Sequence, residues 1–185
     1  PSAFKEGNAV IAAKDASGKI LWSWHIWLTD EPKGQEYYNN AGTMMDRNLG
    51  ATSATPGDAG ALGLLYQWGR KDPFLGGSSV DCFDVVAKST IAWPEKENCT
   101  TATGTVAYAI EHPTTFITDS QDWCYTEGYS HHDYTRWKSD KTIYDPCPVG
   151  WRVPDGGESG VWNISGVYDD YTYDSSDKSM IFYIS

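Results

Sequence analysis

No run of apolar residues in this chain approaches the ~18 that a membrane-spanning helix requires, and no secretory leader precedes Pro1. Basic residues are scarce: 14 Lys and Arg stand against 25 Asp and Glu, for a net charge of −11. Nucleic-acid binding needs clustered cations to neutralise phosphates, and anionic membranes ask for the same, so neither partner fits. The four cysteines, Cys82, Cys99, Cys124 and Cys147, include no CxxC pair and no histidine at zinc-finger spacing. That leaves structural disulfides in an oxidising compartment, with three pairings open. A Gly-x-Ser-x-Gly elbow, an HExxH helix and a P-loop are also missing. No catalytic residue is therefore expected, and if the chain is exported its targeting segment lies outside this sequence.

Aromatics are abundant, at 14% of 185 residues, with 9 Trp and 12 Tyr. Each large ring buries much area, so even a loop-rich domain of this length can build a core from them. The same residues are enriched at binding surfaces. Length and composition fit a single domain, 1–185, without internal repeats or a long linker.

The clearest local element is an opening β-hairpin within residues 1–30. Residues 9–13 form one strand, Asp15-Ala-Ser-Gly18 supplies turn chemistry, and Ile20–Leu28 forms the second strand. Strict alternation puts Trp22, Trp24, Ile26 and Leu28 on one face, and Leu21, Ser23, His25 and Trp27 on the other. The apolar face predicts core, and Trp22, Trp24, Trp68 and Trp151 are assigned there. Residues 30–42 read as loop and Met44–Leu49 as a short strand edge. Asp58 is a suitable N-cap for a helix carrying Ala61, Leu64, Leu65 and Trp68 and ended by Gly69. Residues 74–145 are irregular, Asp145–Pro154 is Pro-punctuated and extended, and Gly166–Tyr173 and Ser179–Ser185 predict two final strands.

Candidate metal and acid–base groups are weak. His131, His132 and Asp133 are adjacent, and in extended backbone neighbouring side chains point to opposite faces, so they share a metal poorly. His25 reads as a structural histidine. Calcium needs six or more oxygen ligands; Asp119, Asp122, Asp169, Asp170 and Asp174 are available, but a plain acidic surface accounts for them. No cofactor is expected, with calcium left as the one alternative. Pairs such as Glu95 with Glu97, or Asp169 with Asp170, could serve as a glycosidase couple, but an acidic chain produces such pairs by chance.

Three segments together resemble the Fibrobacter major paralogous domain and its relatives in fimbrillin-like surface proteins of gut Bacteroidetes. They are Met45-Asp-Arg-Asn-Leu-Gly-Ala51, Gly63-Leu-Leu-Tyr-Gln-Trp-Gly-Arg70 and Cys147-Pro-Val-Gly-Trp-Arg-Val-Pro154. The last is the most specific. The resemblance implies an α+β, C-type-lectin-like fold: short helices, a small twisted antiparallel sheet and long irregular loops. It also implies an exported, extracellular adhesion or binding module on the cell surface, at a pilus tip or packed against neighbouring pilin subunits. The ligand would be a glycan or a host or bacterial surface protein. Relatives run past the equivalent of Ser185 to a final Arg-Cys, whose cysteine pairs with the one in the Pro-Gly-Trp box. The glycine-rich Asp155–Gly160 delays any second helix to about Val161-Trp162, because Gly costs a helix ~1 kcal/mol per residue. Cys82–Cys99, with Cys124–Cys147 as the second pair, is the favoured pairing; a C-terminal partner for Cys147 would leave Cys124 over. In such a fold the long loops carry the binding site. The ligand-contacting candidates are Trp93, Trp123, Tyr125, Tyr129, Tyr134 and Trp137.

Overall fold

The computed structural model describes residues 5–56, 58–75, 94–118, 122–125, 135–166, 171–174 and 179–182. Within them the chain is a mixed α/β fold of short strands paired two by two, with two short helices. The opening hairpin forms as its sequence dictates. Strand β1 (Gly7–Lys14) pairs antiparallel with β2 (Ile20–Leu28), and Asp15 Oδ1 accepts from the Ser17 and Lys19 amides at 2.8 and 3.0 Å to close the turn. Ala13 faces Trp22 and Lys14 faces Ile20, so the extra residue, Leu21, bulges from β2.

Residues 30–42, expected as loop, contain a strand. β3 (Gly34–Tyr37) pairs with β4 (Gly42–Met45) across a tight turn in which Asn39 and Asn40 take φ of 58° and 54°. Asparagine tolerates that left-handed geometry. The Asn39 side chain donates to Ile164 O at 3.0 Å and so docks this hairpin on a later helix.

The helix expected after Asp58 does not form. Asp58 does cap, accepting from Gly60 N at 2.8 Å, but only a single 3-10 turn follows, Ala59–Leu62. Gly63 then turns to φ +69°, with Leu49 O placed 2.6 Å from where a Cβ would stand. The chain continues extended as β5 (Leu65–Tyr66), paired with β6 (Pro73–Phe74). A close backbone crossing has overridden the helical spacing of Leu64, Leu65 and Trp68.

Three elements interrupt the stretch expected to be irregular. β7 (Glu95–Asn98) runs parallel to β8 (Thr115–Thr118), and the connection between them contains α1 (Val106–Glu111). Thr105 caps α1 by accepting from Tyr108 N at 3.1 Å. Ala109, Ile117 and Trp123 form the buried cluster here, flanked by Cys99, Val106, Tyr108 and Cys124. The delayed second helix is present as α2 (Val161–Ser165), ended by Gly166 at φ +71°. Trp162 meets Tyr37 edge-on at 5.7 Å. Of the two final strands, β9 (Tyr171–Asp174) and β10 (Ser179–Phe182) pair antiparallel.

The core assignment of four tryptophans needs correction. Trp24 and Trp68 are 47% and 41% exposed, and Trp22 and Trp151 are half-buried. Space at the centre is taken instead by Phe74, Ile117, Trp123 and a set of charged side chains.

Candidate functional site

The opening hairpin sits on the molecule by its polar face. Ser23 is 1% exposed and donates to Asp72 Oδ1 at 2.6 Å. Lys71 Nζ reaches both Asp72 oxygens at 2.8 and 2.9 Å, Ser23 Oγ at 2.5 Å and Ser23 O at 3.0 Å. Its ammonium also lies 4.5 Å from the centre of the Trp22 ring. Burial holds Lys71 below its ordinary pKa, although the bonds to Asp72 work the other way. A serine beside a lysine and a carboxylate has the parts of a nucleophilic centre, but Ser23 is almost fully buried. The cluster instead pins β2 to the body.

Further along the same face, His25 bridges two elements. Its Nε2 meets Asn8 Oδ1 at 2.9 Å and its Nδ1 meets the Tyr66 hydroxyl at 3.0 Å. Because Asn8 Oδ1 only accepts, Nε2 carries the proton and Nδ1 accepts from Tyr66. Trp27 Nε1 donates to Ala51 O at 2.9 Å. Burial pushes the His25 pKa down, with Asp72 partly opposing. The folded state therefore favours neutral His25, and stability is lost as pH falls through the unfolded value near 6.5. Thermal melts between pH 7.5 and 5 should show a falling midpoint that is flattened in His25→Gln.

With the polar face inward, the apolar face is left to solvent. Ile11, Trp24, Ile26 and Leu28 are 52%, 47%, 37% and 47% exposed. Register sets Ile11 opposite Trp24, Ala9 opposite Ile26 and Gly7 opposite Leu28, so these side chains share one continuous surface. Every residue of β1 is exposed or half-buried. This is the largest departure from the sequence reading, and its cause is the set of partners that Asp72, Lys71, Tyr66 and Ala51 offer to the other face.

The loop aromatics expected to contact ligand divide. Trp123 is buried at 4% exposure and belongs to the core. Its Nε1 donates to Trp68 O at 2.6 Å, and the Arg136 and Arg70 guanidinium carbons lie 5.0 and 5.5 Å from its ring centre. Tyr125 and Trp137 are half-buried. Tyr125 is tied through its amide to Gly104 O, and Trp137 donates to Tyr144 O at 2.8 Å. Trp137 also packs against Trp68, with ring centres 4.9 Å apart, which sequence spacing did not reveal. Trp93, Tyr129, Tyr134, Cys82, His131, His132, Asp133, Asp119, Asp169 and Asp170 lie outside the described residues. Among the described residues no group of three His, Cys, Asp or Glu is placed to hold a metal. Glu95 and Glu97 are exposed on β7.

The three sequence segments behind the family resemblance act as latches. Arg47 forks between Asp46 at 2.8 Å and Asp30 at 2.5 Å, tying the end of β4 to the end of β2. Gln67 pairs with the backbone of Ile117 through both ends of its amide, at 2.7 and 3.2 Å. Asp145 accepts from the amides of Cys147 and Val153 and from Lys141 Nζ, and so shapes the Cys147–Pro154 box. Burial opposes its charge, but these bonds hold the Asp145 pKa below the ordinary carboxylate value. Cys147 stands as a free thiol, so the Cys124–Cys147 pairing is not made. Burial and the neighbouring Asp145 push its pKa up to about 12. Cys99 and Cys124 border the same buried cluster, and Cys99 Sγ donates to Trp123 O at 3.2 Å.

No family, curated protein or solved structure matches this chain. Its role is read from its own geometry. No described helix is long and apolar enough to cross a membrane.

Proposed function

We propose that this chain is a non-enzymatic module of an extracellular surface structure, lectin-like in fold, that joins neighbouring protein subunits through its opening hairpin. The exposed apolar face of that hairpin carries the reading. Ile11, Trp24, Ile26 and Leu28 offer methyl, methylene and indole surface to solvent, on a two-stranded sheet that on its own is marginal. Folded domains seldom leave such a face uncovered unless a partner occupies it. Methyl-rich surface gives little to orient sugar hydroxyls, so the occupant is protein. The family resemblance supports the cellular setting, and the sealing of Ser23 and Lys71 supports a role without chemistry.

Trp24→Lys combined with Ile26→Lys should leave the far-ultraviolet circular dichroism of the isolated chain unchanged. In the producing cell it should abolish retention of the protein in material sheared from the cell surface. Unchanged retention would refute the assembly role.

A second reading is favoured by the half-exposed Trp68–Trp137 pair, whose tilted rings form a surface on which a sugar can stack. It makes the chain a glycan-binding adhesin. A glycan array probed with calcium and then with chelator tests it: hits lost in Trp137→Ala support it, and a blank array removes it.

A further inference from the structure

We infer that the neighbouring subunit is a second copy of this chain, joined by antiparallel pairing of β1 with β1 about Val10. The inference rests on the assembly reading and names its partner. β1 is a sheet edge, since its described partner is β2 alone. Natural edges are protected by charge, proline or bulges, yet none of Gly7–Ala13 is charged or proline. The bulged residue, Leu21, belongs to β2, so β1 runs unbroken to Lys14.

The sequence around Val10 is self-complementary when reversed. Antiparallel pairing centred there sets Ala9 opposite the second copy's Ile11, Asn8 opposite Ala12 and Gly7 opposite Ala13. One step outward Glu6 meets Lys14, and one step further Lys5 meets Asp15; each charge pair occurs twice by the twofold symmetry. Lys5, Glu6, Lys14 and Asp15 are all exposed, and the three hydrogen bonds of the Asp15 side chain all fall on Oδ1. Directly opposed residues share parity in this register, so Ile11 and Trp24 of one copy continue the apolar face of the other. The result is a four-stranded sheet, β2-β1-β1-β2, with both hairpins completed. Because each chain carries −11, pairing needs physiological salt to screen the remaining surface.

Sedimentation velocity of the whole chain at physiological salt, from micromolar to hundreds of micromolar, should show a reversible dimer. Glu6→Lys and Lys14→Glu each set like charges opposite one another and should weaken it by about tenfold or more, since cross-strand charge pairs act directly across the joint. When the two variants are mixed, the two substituted sites face each other with opposite charges at one end of the joint, and the other end keeps its native Glu6–Lys14 pair. The mixture should therefore recover the wild-type constant, as should the double swap within one chain. Lys33→Glu, an exposed change elsewhere with the same charge effect as Lys14→Glu, should leave the constant unmoved. A monomer at every concentration, or a dimer indifferent to the single reversals, would overturn the β1 pairing. If the chain is monomeric but Trp24→Lys with Ile26→Lys still loses surface retention, the β1 pairing alone falls and the assembly reading stands.

Discussion

Asp72→Ala should lower the unfolding free energy by about 3–5 kcal/mol, the cost of leaving one partner of a buried ion pair uncompensated. Asp72 is 2% exposed and receives Ser23 Oγ and Lys71 Nζ, so the substitution strands a buried ammonium and a buried hydroxyl together. Urea titration of the wild type and variant measures the loss. Lys71→Met placed on top of Asp72→Ala should recover part of it, because the lone charge beside Trp22 is then replaced by an apolar side chain of similar length. If the two losses simply add, the pair does not act as a unit. Since Ser23 belongs to β2, hydrogen exchange should show the hairpin amides losing protection first.

Arg70→Met should cost a similar amount, about 3–5 kcal/mol, through unsatisfied carbonyls instead of a stranded charge. Arg70 is 2% exposed. Its guanidinium donates to Gln67 Oε1 at 2.7 Å, Thr115 O at 2.9 Å, His112 O at 3.1 Å and Ala109 O at 3.4 Å. It therefore closes the C-terminal end of α1 and the start of β8 at once, while lying 4.9 Å from the Phe74 ring centre. Burial pushes its pKa down to about 10, with Asp72 partly opposing, and it remains charged at neutral pH. Arg70→Lys should not rescue, since a point charge on a flexible stem cannot span several carbonyls as a planar fork does. Calorimetry reads the midpoint, and amide exchange at Ile117 and in α1 reads the locality. Loss confined to the hairpin instead would contradict the bonding pattern.

Both effects arise within the segment Gly63–Arg70 and the two residues after it. This is the physical sense of that segment: Gln67 and Arg70 hold α1 and β8, and Lys71 and Asp72 hold β2. The hairpin with the exposed apolar face is thus held to the body through Ser23, Lys71 and Asp72.

Several elements follow from local chemistry alone. The Asp15–Gly18 turn and the period-two run Ile20–Leu28 fix the hairpin and the sharing of faces, because a strand's alternation is geometric. Glycines before Val161 delay α2, since each carries an entropic cost in a helix. α1 was not read from the sequence, although Thr105 stands as an N-cap ahead of Val106, Ala109 and Ile110. Tertiary structure decided which face of the hairpin is buried. Hydrophobicity argued for Trp24 and Ile26 inside, but Ser23, His25 and Trp27 find hydrogen-bond partners in Asp72, Tyr66 and Ala51, residues 24 to 49 positions away. Tertiary structure likewise cancelled the helix after Asp58, where Leu49 O crosses Gly63 too closely for any side chain, and drew Trp123 into the core between two guanidiniums. Pattern sets what a segment can form; the partners that distant residues bring to it set which side it shows to solvent.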